Sequence, residues 1–166
     1  VNEETEAEVI VVNTCCFIGD AKEESINTLL EMASYKETAK CKLLVAAGCL
    51  AQRYHKEIQT EIPEVDIIVG TMGYENLAIR GELKEHQGVV ETLQNIDYLP
   101  TPLTNRDSMS GGYYAYLKIA EGCDKCCTYC VIPKVRGHYR SVPMENLLAQ
   151  AEHLVQNGAK ELILVA

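Results

Sequence analysis

The sequence lacks both a long apolar run and an excess of cationic residues. No stretch approaches the roughly 18 apolar residues that a bilayer-spanning helix needs, and no charged and then apolar leader opens the chain. Fifteen basic against 24 acidic residues give a net charge of −9, so the chain has no overall positive field for non-specific nucleic-acid binding. We therefore expect a cytoplasmic protein without a membrane partner, and a nucleic-acid partner is disfavoured.

Other common signatures are also missing. There is no internal repeat, no coiled-coil heptad and no glycine-rich phosphate loop, and the four histidines have no metal-ligand spacing. What the chain does contain is 47% hydrophobic residues and eight cysteines in 166 residues. In a reducing compartment such cysteines are metal ligands, catalytic thiols or small buried residues more often than disulfides.

The first half of the chain alternates strand and helix signals. The continuous apolar runs "AEVIVVNTCCF", "KLLVAAGCL" and "VDIIVG" predict strands buried on both faces of a parallel sheet. Between them, Asp20 and Glu23 resemble a capping box that starts a helix, and residues 54–60 predict a second helix stopped by Pro63. The first helix is expected to bury one apolar face, formed by Ile26, Leu29, Leu30 and Ala33. This order predicts an α/β domain with right-handed crossovers.

The second half begins after a polar stretch. Residues 85–111 carry two prolines and no clear periodicity, so they predict a linker. Residues 112–166 then read as strand, cysteine-rich loop, amphipathic helix and buried strand. The helix should bury a face formed by Met144, Leu147, Leu148, Ala151, Leu154 and Val155. Such a β-α-β unit is typical of the opening of a larger parallel sheet or barrel, so we expect a fragment of a longer fold.

The loop "EGCDKCCTYCVIP" places four cysteines within eight positions. Two C-x-x-C pairs could hold zinc. In structural zinc sites, however, the two pairs are normally separated by about a dozen or more residues, so that they can approach the metal from opposite sides. Alternatively, Cys123, Cys127 and Cys130 fix three irons of a 4Fe-4S cube and leave the fourth open to a ligand. The iron-sulfur interpretation is the stronger, and it leaves Cys126 spare.

The spacing C-x-x-x-C-x-x-C, after a strand and before a helix, resembles the radical S-adenosylmethionine (SAM) superfamily. The resemblance implies that the open iron of the cluster on Cys123, Cys127 and Cys130 chelates SAM. It also implies that Tyr129, just before the last cysteine, packs near the adenine of this cofactor.

The flanking segments narrow the resemblance. "YAYLKIAEGC", "RGHYRS", "VIVVNTC", "AKEESINTLLEMA" and "AAGCLAQRY" together resemble the methylthiotransferase family, and within it the RimO-type enzymes that modify an aspartate of a small-subunit ribosomal protein. The resemblance implies a second 4Fe-4S cluster held by Cys15, Cys49 and a third cysteine upstream of this sequence. It also implies an N-terminal methylthiotransferase domain at 1–84, missing its start, and a truncated radical SAM barrel beginning at 112–166.

The strand pattern adds independent support for one cysteine pair. Cys15 and Cys49 each follow a buried strand directly, which places both at the carboxyl edge of the sheet, where ligands bind in open α/β folds. Cys41 precedes its strand and is expected at the opposite edge. We interpret Cys16 and Cys41 as structural, because free buried cysteines are common.

The implied reaction is insertion of a methylthio group at an unactivated carbon. By resemblance, the first cluster passes an electron to SAM, the resulting radical removes a substrate hydrogen, the second cluster delivers sulfur, and a second SAM supplies the methyl group. The implied partners are a small-subunit ribosomal protein and an electron donor protein. Three alternatives stay open: a tRNA-modifying enzyme of the same family, a non-catalytic metal-binding module with Cys126 as fourth ligand, and a truncation that is inactive by itself.

Overall fold

The computed structural model describes residues 1, 3–74, 90–93, 95–97, 99 and 113–166. The chain divides into two compact units, Val1–Ile96 and Asp97–Ala166. Most of the predicted linker at 85–111 lies outside the described residues, although a short strand at Val90–Thr92 falls within it. The predicted boundaries of domains and linker therefore stay predictions.

The first unit contains a parallel four-stranded sheet. Its strands are β1 (Val9–Thr14), β2 (Leu43–Gly48), β3 (Ile67–Val69) and β4 (Val90–Thr92), and they lie side by side in chain order. β1 and β2 pair over their full lengths, from Val9 opposite Leu43 to Thr14 opposite Gly48. The predicted α/β class with a parallel sheet is confirmed.

Burial distinguishes the central strands from the edge strand. Every residue of β2 and β3 is buried, as their continuous apolar runs predict. In β1 the burial alternates, and Val9 and Val11 are about half exposed. The prediction that β1 is covered on both faces was wrong, because the face that carries Val9 and Val11 is only partly covered.

The first helix, α1 (Gly19–Thr38), connects β1 to β2. The predicted capping box is not formed, since the helix begins one residue before Asp20 and its N-cap, Ile18, makes no side-chain capping bond. The buried face consists of Ser25, Leu29, Met32 and Ala33. Ile26 and Leu30, predicted on that face, are exposed instead.

Two short helices follow β2. α2 (Cys49–Arg53) begins directly at the end of the strand, and α3 (His55–Glu61) follows after a break at Tyr54. The single helix predicted at 54–60 is thus α3 with a shifted start. Ile58 within α3 and Ile62 directly after it are buried, and Pro63 follows.

The second unit is built around a parallel strand pair. Its elements are β5 (Tyr114–Lys118), β6 (Ala120–Glu121), α4 (Ile132–Arg136), β7 (Arg140–Ser141), α5 (Met144–Gln156) and β8 (Glu161–Val165). β5 pairs with β8 in parallel, and β6 pairs with β7 in antiparallel orientation. The predicted β-α-β unit is present.

The helix α5 covers the β5–β8 pair with only part of its predicted face. Leu154 packs with Ala115, Leu117 and Ala159, and Leu147 and Ala151 are partly buried against this cluster. Met144, Leu148 and Val155 are more than half exposed, contrary to prediction. Two strands offer too narrow a surface to cover the whole apolar face of a helix.

Candidate functional site

Cys15 and Cys49 lie next to one another in the register of the sheet. Thr14 and Gly48 are the last residues of β1 and β2 and are opposite one another, and each is followed by one of these cysteines. Both cysteines are partly buried. The structure thus places the two predicted ligands on neighbouring strand ends at the carboxyl edge of the sheet.

The turn that carries Cys49 depends on a glycine. Gly48 has φ +100°, a conformation that L side chains rarely adopt, and a Cβ there would lie 2.5 Å from the carbonyl oxygen of Thr14. The absent side chain lets the start of α2 pass close to the end of β1. Cys49 can therefore begin a helix immediately after the buried strand.

The hydroxyl of Thr14 fastens this turn to the sheet. It donates a hydrogen bond to the carbonyl oxygen of Ala47 at 2.6 Å and accepts one from the backbone N–H of Ala51 at 3.2 Å. Thr14 is only 4% exposed, so both bonds are shielded from water. Thr14 was not among the residues predicted from the sequence, where its only signal is a threonine at the end of an apolar strand.

A third thiol lies against the same turn. Cys16 is buried, and its thiol donates a hydrogen bond to the carbonyl oxygen of Cys49 at 3.3 Å. Burial raises the pKa of the Cys16 thiol, and the neighbouring Cys49 raises it further, while Arg53 opposes the change. Cys41 is buried just before β2, and its thiol donates a hydrogen bond to the carbonyl oxygen of Leu43. Burial raises the pKa of this thiol as well.

In the second unit, the four-cysteine loop runs from β6 to α4. The N–H of Cys130 donates to the carbonyl oxygen of Cys127 at 3.0 Å, which closes a turn and brings these two residues within about 7 Å at their Cα atoms. The sulfur of Cys123 accepts a hydrogen bond from the N–H of Lys125 at 3.4 Å. The thiol of Cys126 is directed instead to the carbonyl oxygen of Asp124, at 3.8 Å.

The beginning of this loop is held against the segment before β7. Cys123 donates its N–H to the carbonyl oxygen of Gly137 at 3.1 Å. A Cβ on Gly122, which has φ +75°, would lie 2.1 Å from the carbonyl oxygen of His138, so only glycine permits this approach.

An exposed hydrogen bond between an aspartate and a histidine adds a second attachment of the loop. The carboxylate of Asp124 accepts hydrogen bonds from Nδ1 of His138 at 2.9 Å and from the N–H of Tyr139 at 3.1 Å. These bonds, that of His138 first, lower the pKa of the Asp124 carboxyl. The sequence analysis did not anticipate the pair, because the two residues are 14 positions apart.

A buried carboxylate supports the strand that leads into the loop. Glu121, 8% exposed, accepts hydrogen bonds from Lys118 and from Nη1 of Arg136, the latter at 3.3 Å. Since a buried charge is tolerated only when paired, this arrangement ties β6 to α4 on the far side of the loop.

The donor set fits an iron-sulfur group, but the ligands are not preassembled. Thiolates are the ligands that iron-sulfur clusters take in proteins, and Cys123, Cys127 and Cys130 are all at least partly exposed. Within the part of the chain that the structure describes, no three Cys, His, Asp or Glu side chains converge as a metal site. Tyr129 is 91% exposed. The loop would have to close around a cluster, as is usual when metal binding is coupled to folding.

Comparison with known proteins is informative over nearly the whole chain. Residues 1–70 match a family described as "Uncharacterized protein family UPF0004". Across 99% of its length the chain is 58% identical to a protein of Lachnoclostridium phytofermentans named "Ribosomal protein uS12 methylthiotransferase RimO", of which it covers 38%. Proteins of the same name from Trichlorobacter lovleyi and Clostridioides difficile are 50% and 49% identical over 99% and 97% of the chain, which covers 37% and 36% of them.

The chain thus spans little more than a third of the length of these relatives. Of the helices that the structure describes, none combines the length and the apolar character needed to cross a bilayer.

Proposed function

We propose that the chain belongs to the RimO-type methylthiotransferase family and forms the auxiliary-cluster region and the start of the radical SAM region of such an enzyme. The proposal is supported by one observation above others. In a chain 58% identical to a named methylthiotransferase, two cysteines follow register-paired residues at the carboxyl edge of a parallel sheet. Ligand sites in open α/β sheets occur at this edge.

In this proposal the first 4Fe-4S cluster is bound by Cys123, Cys127 and Cys130. The turn between Cys127 and Cys130 brings the backbones of two ligands together, and the backbone of Cys123 is hydrogen-bonded to Gly137. The three thiols would still have to turn towards a common point. The free thiol of Cys126 points to a backbone carbonyl of its own loop and is left out of the ligand set. Tyr129, which is exposed, would pack on the adenine of SAM.

The second cluster is assigned to Cys15 and Cys49, together with a ligand outside this chain. Thr14 and Gly48 hold the two turns close together, and the buried Cys16 donates a hydrogen bond to the carbonyl oxygen of Cys49. When bound, the two clusters and SAM would supply the electron, the radical, the sulfur and the methyl group of a methylthiolation. The task of the protein is to place these groups and keep water away from them.

The names of the relatives support a ribosomal-protein substrate. They are named for ribosomal protein uS12, so we assign this small-subunit ribosomal protein as the substrate and one of its aspartates as the modified residue. An electron donor protein completes the set of partners. Because thiolate-bound clusters need a reducing and metal-supplied environment, we assign the reaction to the cytoplasm. The continuation of the β-α-β unit into a SAM-binding barrel is part of the same proposal.

A direct assay tests this function. The protein expressed from its complete reading frame is loaded with iron and sulfide without oxygen and incubated with SAM, a reductant and purified uS12. Mass spectrometry of uS12 peptides should show one hydrogen replaced by a methylthio group on an aspartate. Parallel digestion of tRNA serves as the comparison. Modification of a tRNA adenosine while uS12 stays unmodified would contradict the assignment of substrate. The absence of product from both uS12 and tRNA would contradict the proposal that the protein is a methylthiotransferase.

A further inference from the structure

The cysteine at the end of β1 is attached to α1 through a single hydroxyl group. The backbone N–H of Cys15 donates a hydrogen bond to Oγ of Ser25 at 2.9 Å. The same Oγ lies 2.8 Å from the carbonyl oxygen of Ala21 and 3.2 Å from that of Cys15 itself. Since a serine hydroxyl has one proton, Ser25 accepts from the Cys15 amide and donates to one or both of these carbonyls.

This contact fixes the backbone of a predicted ligand. Cys15 lies just beyond the last residue of β1, where the ladder of the sheet has ended. Ser25 is only 8% exposed, so the hydrogen bond is protected from water. A backbone amide that loses its partner in such a place leaves a costly unsatisfied donor, and the residue shifts to find another. A shift of Cys15 would change the direction of its thiol.

An ordinary helical role does not account for the contact. Serine and threonine hydroxyls often bond to the carbonyl four residues earlier, and Thr28 does so with Glu24 at 2.9 Å on the exposed side of α1. Ser25 makes the same bond to Ala21 and in addition reaches ten residues back to Cys15. The hydrogen bond to Cys15 distinguishes the hydroxyl of Ser25 from that of Thr28.

We propose that Ser25 is a positioning residue for the auxiliary iron-sulfur site: by binding the backbone of Cys15, it holds the thiolate in the direction that cluster binding requires. The inference rests on the proposed function, because the auxiliary cluster is part of that proposal. Groups that orient metal ligands in this way typically contribute about 10- to 100-fold to metal affinity.

The test uses the protein expressed from its complete reading frame with Cys123, Cys127 and Cys130 replaced by alanine, so that only the auxiliary cluster can form. Ser25→Ala is compared with Thr28→Ala, which removes a hydroxyl of the same helix that does not contact Cys15. After anaerobic loading, the loss of iron to a chelator and the reduction potential of the cluster are measured. Ser25→Ala should lose iron about tenfold faster or more and shift the potential, and Thr28→Ala should match the parent.

A third variant, Ser25→Thr, restores the hydroxyl and should recover the parent rate and potential. This recovery separates positioning from folding, and melting of the metal-free proteins checks that each variant is folded. Equal iron loss in Ser25→Ala and Thr28→Ala would overturn the inference while leaving the proposed function intact, and so would a folded Ser25→Thr that still releases its iron rapidly. If the parent itself takes up no cluster, the auxiliary site of the proposed function fails and the inference fails with it.

Discussion

The carbonyl oxygen of Thr14 lies 2.5 Å from the point where a Cβ on Gly48 would be. This close approach joins the ends of the two strands that carry Cys15 and Cys49. The backbone of Gly48, at φ +100° and ψ −155°, falls in a region that is essentially restricted to glycine. The geometry of the two turns that carry Cys15 and Cys49 therefore depends on a residue without a side chain.

Gly48→Ala should destabilise the chain by at least about 1–3 kcal/mol, the usual cost of holding a non-glycine residue in such a conformation. Urea unfolding followed by circular dichroism measures the loss. Gly19→Ala is the matched control, because a Cβ at Gly19 meets nothing within 4 Å and Gly19 is the first residue of α1. It should leave stability unchanged or raise it slightly. Equal stability of the two variants would contradict the close approach.

Asp66→Ala should lower the free energy of unfolding by about 1.5–3 kcal/mol, the range for hydrogen bonds to charged groups. Its carboxylate accepts hydrogen bonds from the N–H of Leu44 and from Nζ of Lys36, both at 2.7 Å, and so attaches α1 to the start of β2. The comparison is Lys40→Ala, which removes an ion pair whose two side chains are 61% and 55% exposed. That change should cost at most about 1 kcal/mol. If Lys40→Ala lowered the free energy of unfolding as much as Asp66→Ala, the greater contribution assigned to Asp66 would be refuted.

Asp124→Ala should loosen the attachment of the cysteine loop to the segment before β7. The variant removes the acceptor for the N–H of Tyr139 and for the His138 ring, so the Tyr139 amide should exchange its hydrogen faster. Hydrogen exchange followed by NMR measures this rate. Asp124→Asn keeps one acceptor oxygen and should give an intermediate rate. Unchanged exchange in Asp124→Ala would show that the carboxylate does not hold the loop.

Cys41 and Cys49 provide a contrast between the two edges of the sheet. Cys41 precedes β2 and Cys49 follows it, so only Cys49 lies beside Cys15. In protein from the complete reading frame without the three loop ligands, Cys41→Ala should retain the auxiliary cluster and Cys49→Ala should lose it. Iron content and electron paramagnetic resonance report the result. Retention of the cluster by Cys49→Ala would remove Cys49 from the ligand set.

Much of the fold could be predicted from apolar patterns. The buried strands β2 and β3, the helix α5 and the parallel pairing of β5 with β8 follow the runs that the sequence shows. The prediction for β1 was wrong because its composition is that of a central strand, whereas β1 lies at the end of the strand order and Val9 and Val11 are half exposed.

The cysteines of the candidate site could be predicted from the sequence, whereas the hydrogen bonds that hold their backbones could not. The position of Cys15 and Cys49 at one sheet edge follows from the strand order alone. The bonds of Thr14, Ser25 and Asp124 join residues between 10 and 37 positions apart, and no local pattern encodes such contacts. They depend on the packing of elements that are distant in the sequence.

The proposed function requires that Cys123, Cys127 and Cys130, without Cys126, bind a 4Fe-4S cluster. The most direct measurement is the visible absorbance and iron content of this chain after anaerobic loading, in a background where Cys15 and Cys49 are alanine. Cys126→Ala should keep the brown chromophore at the level of the background, whereas Cys127→Ala should abolish it. Loss of the chromophore in Cys126→Ala together with its retention in Cys127→Ala would contradict the account.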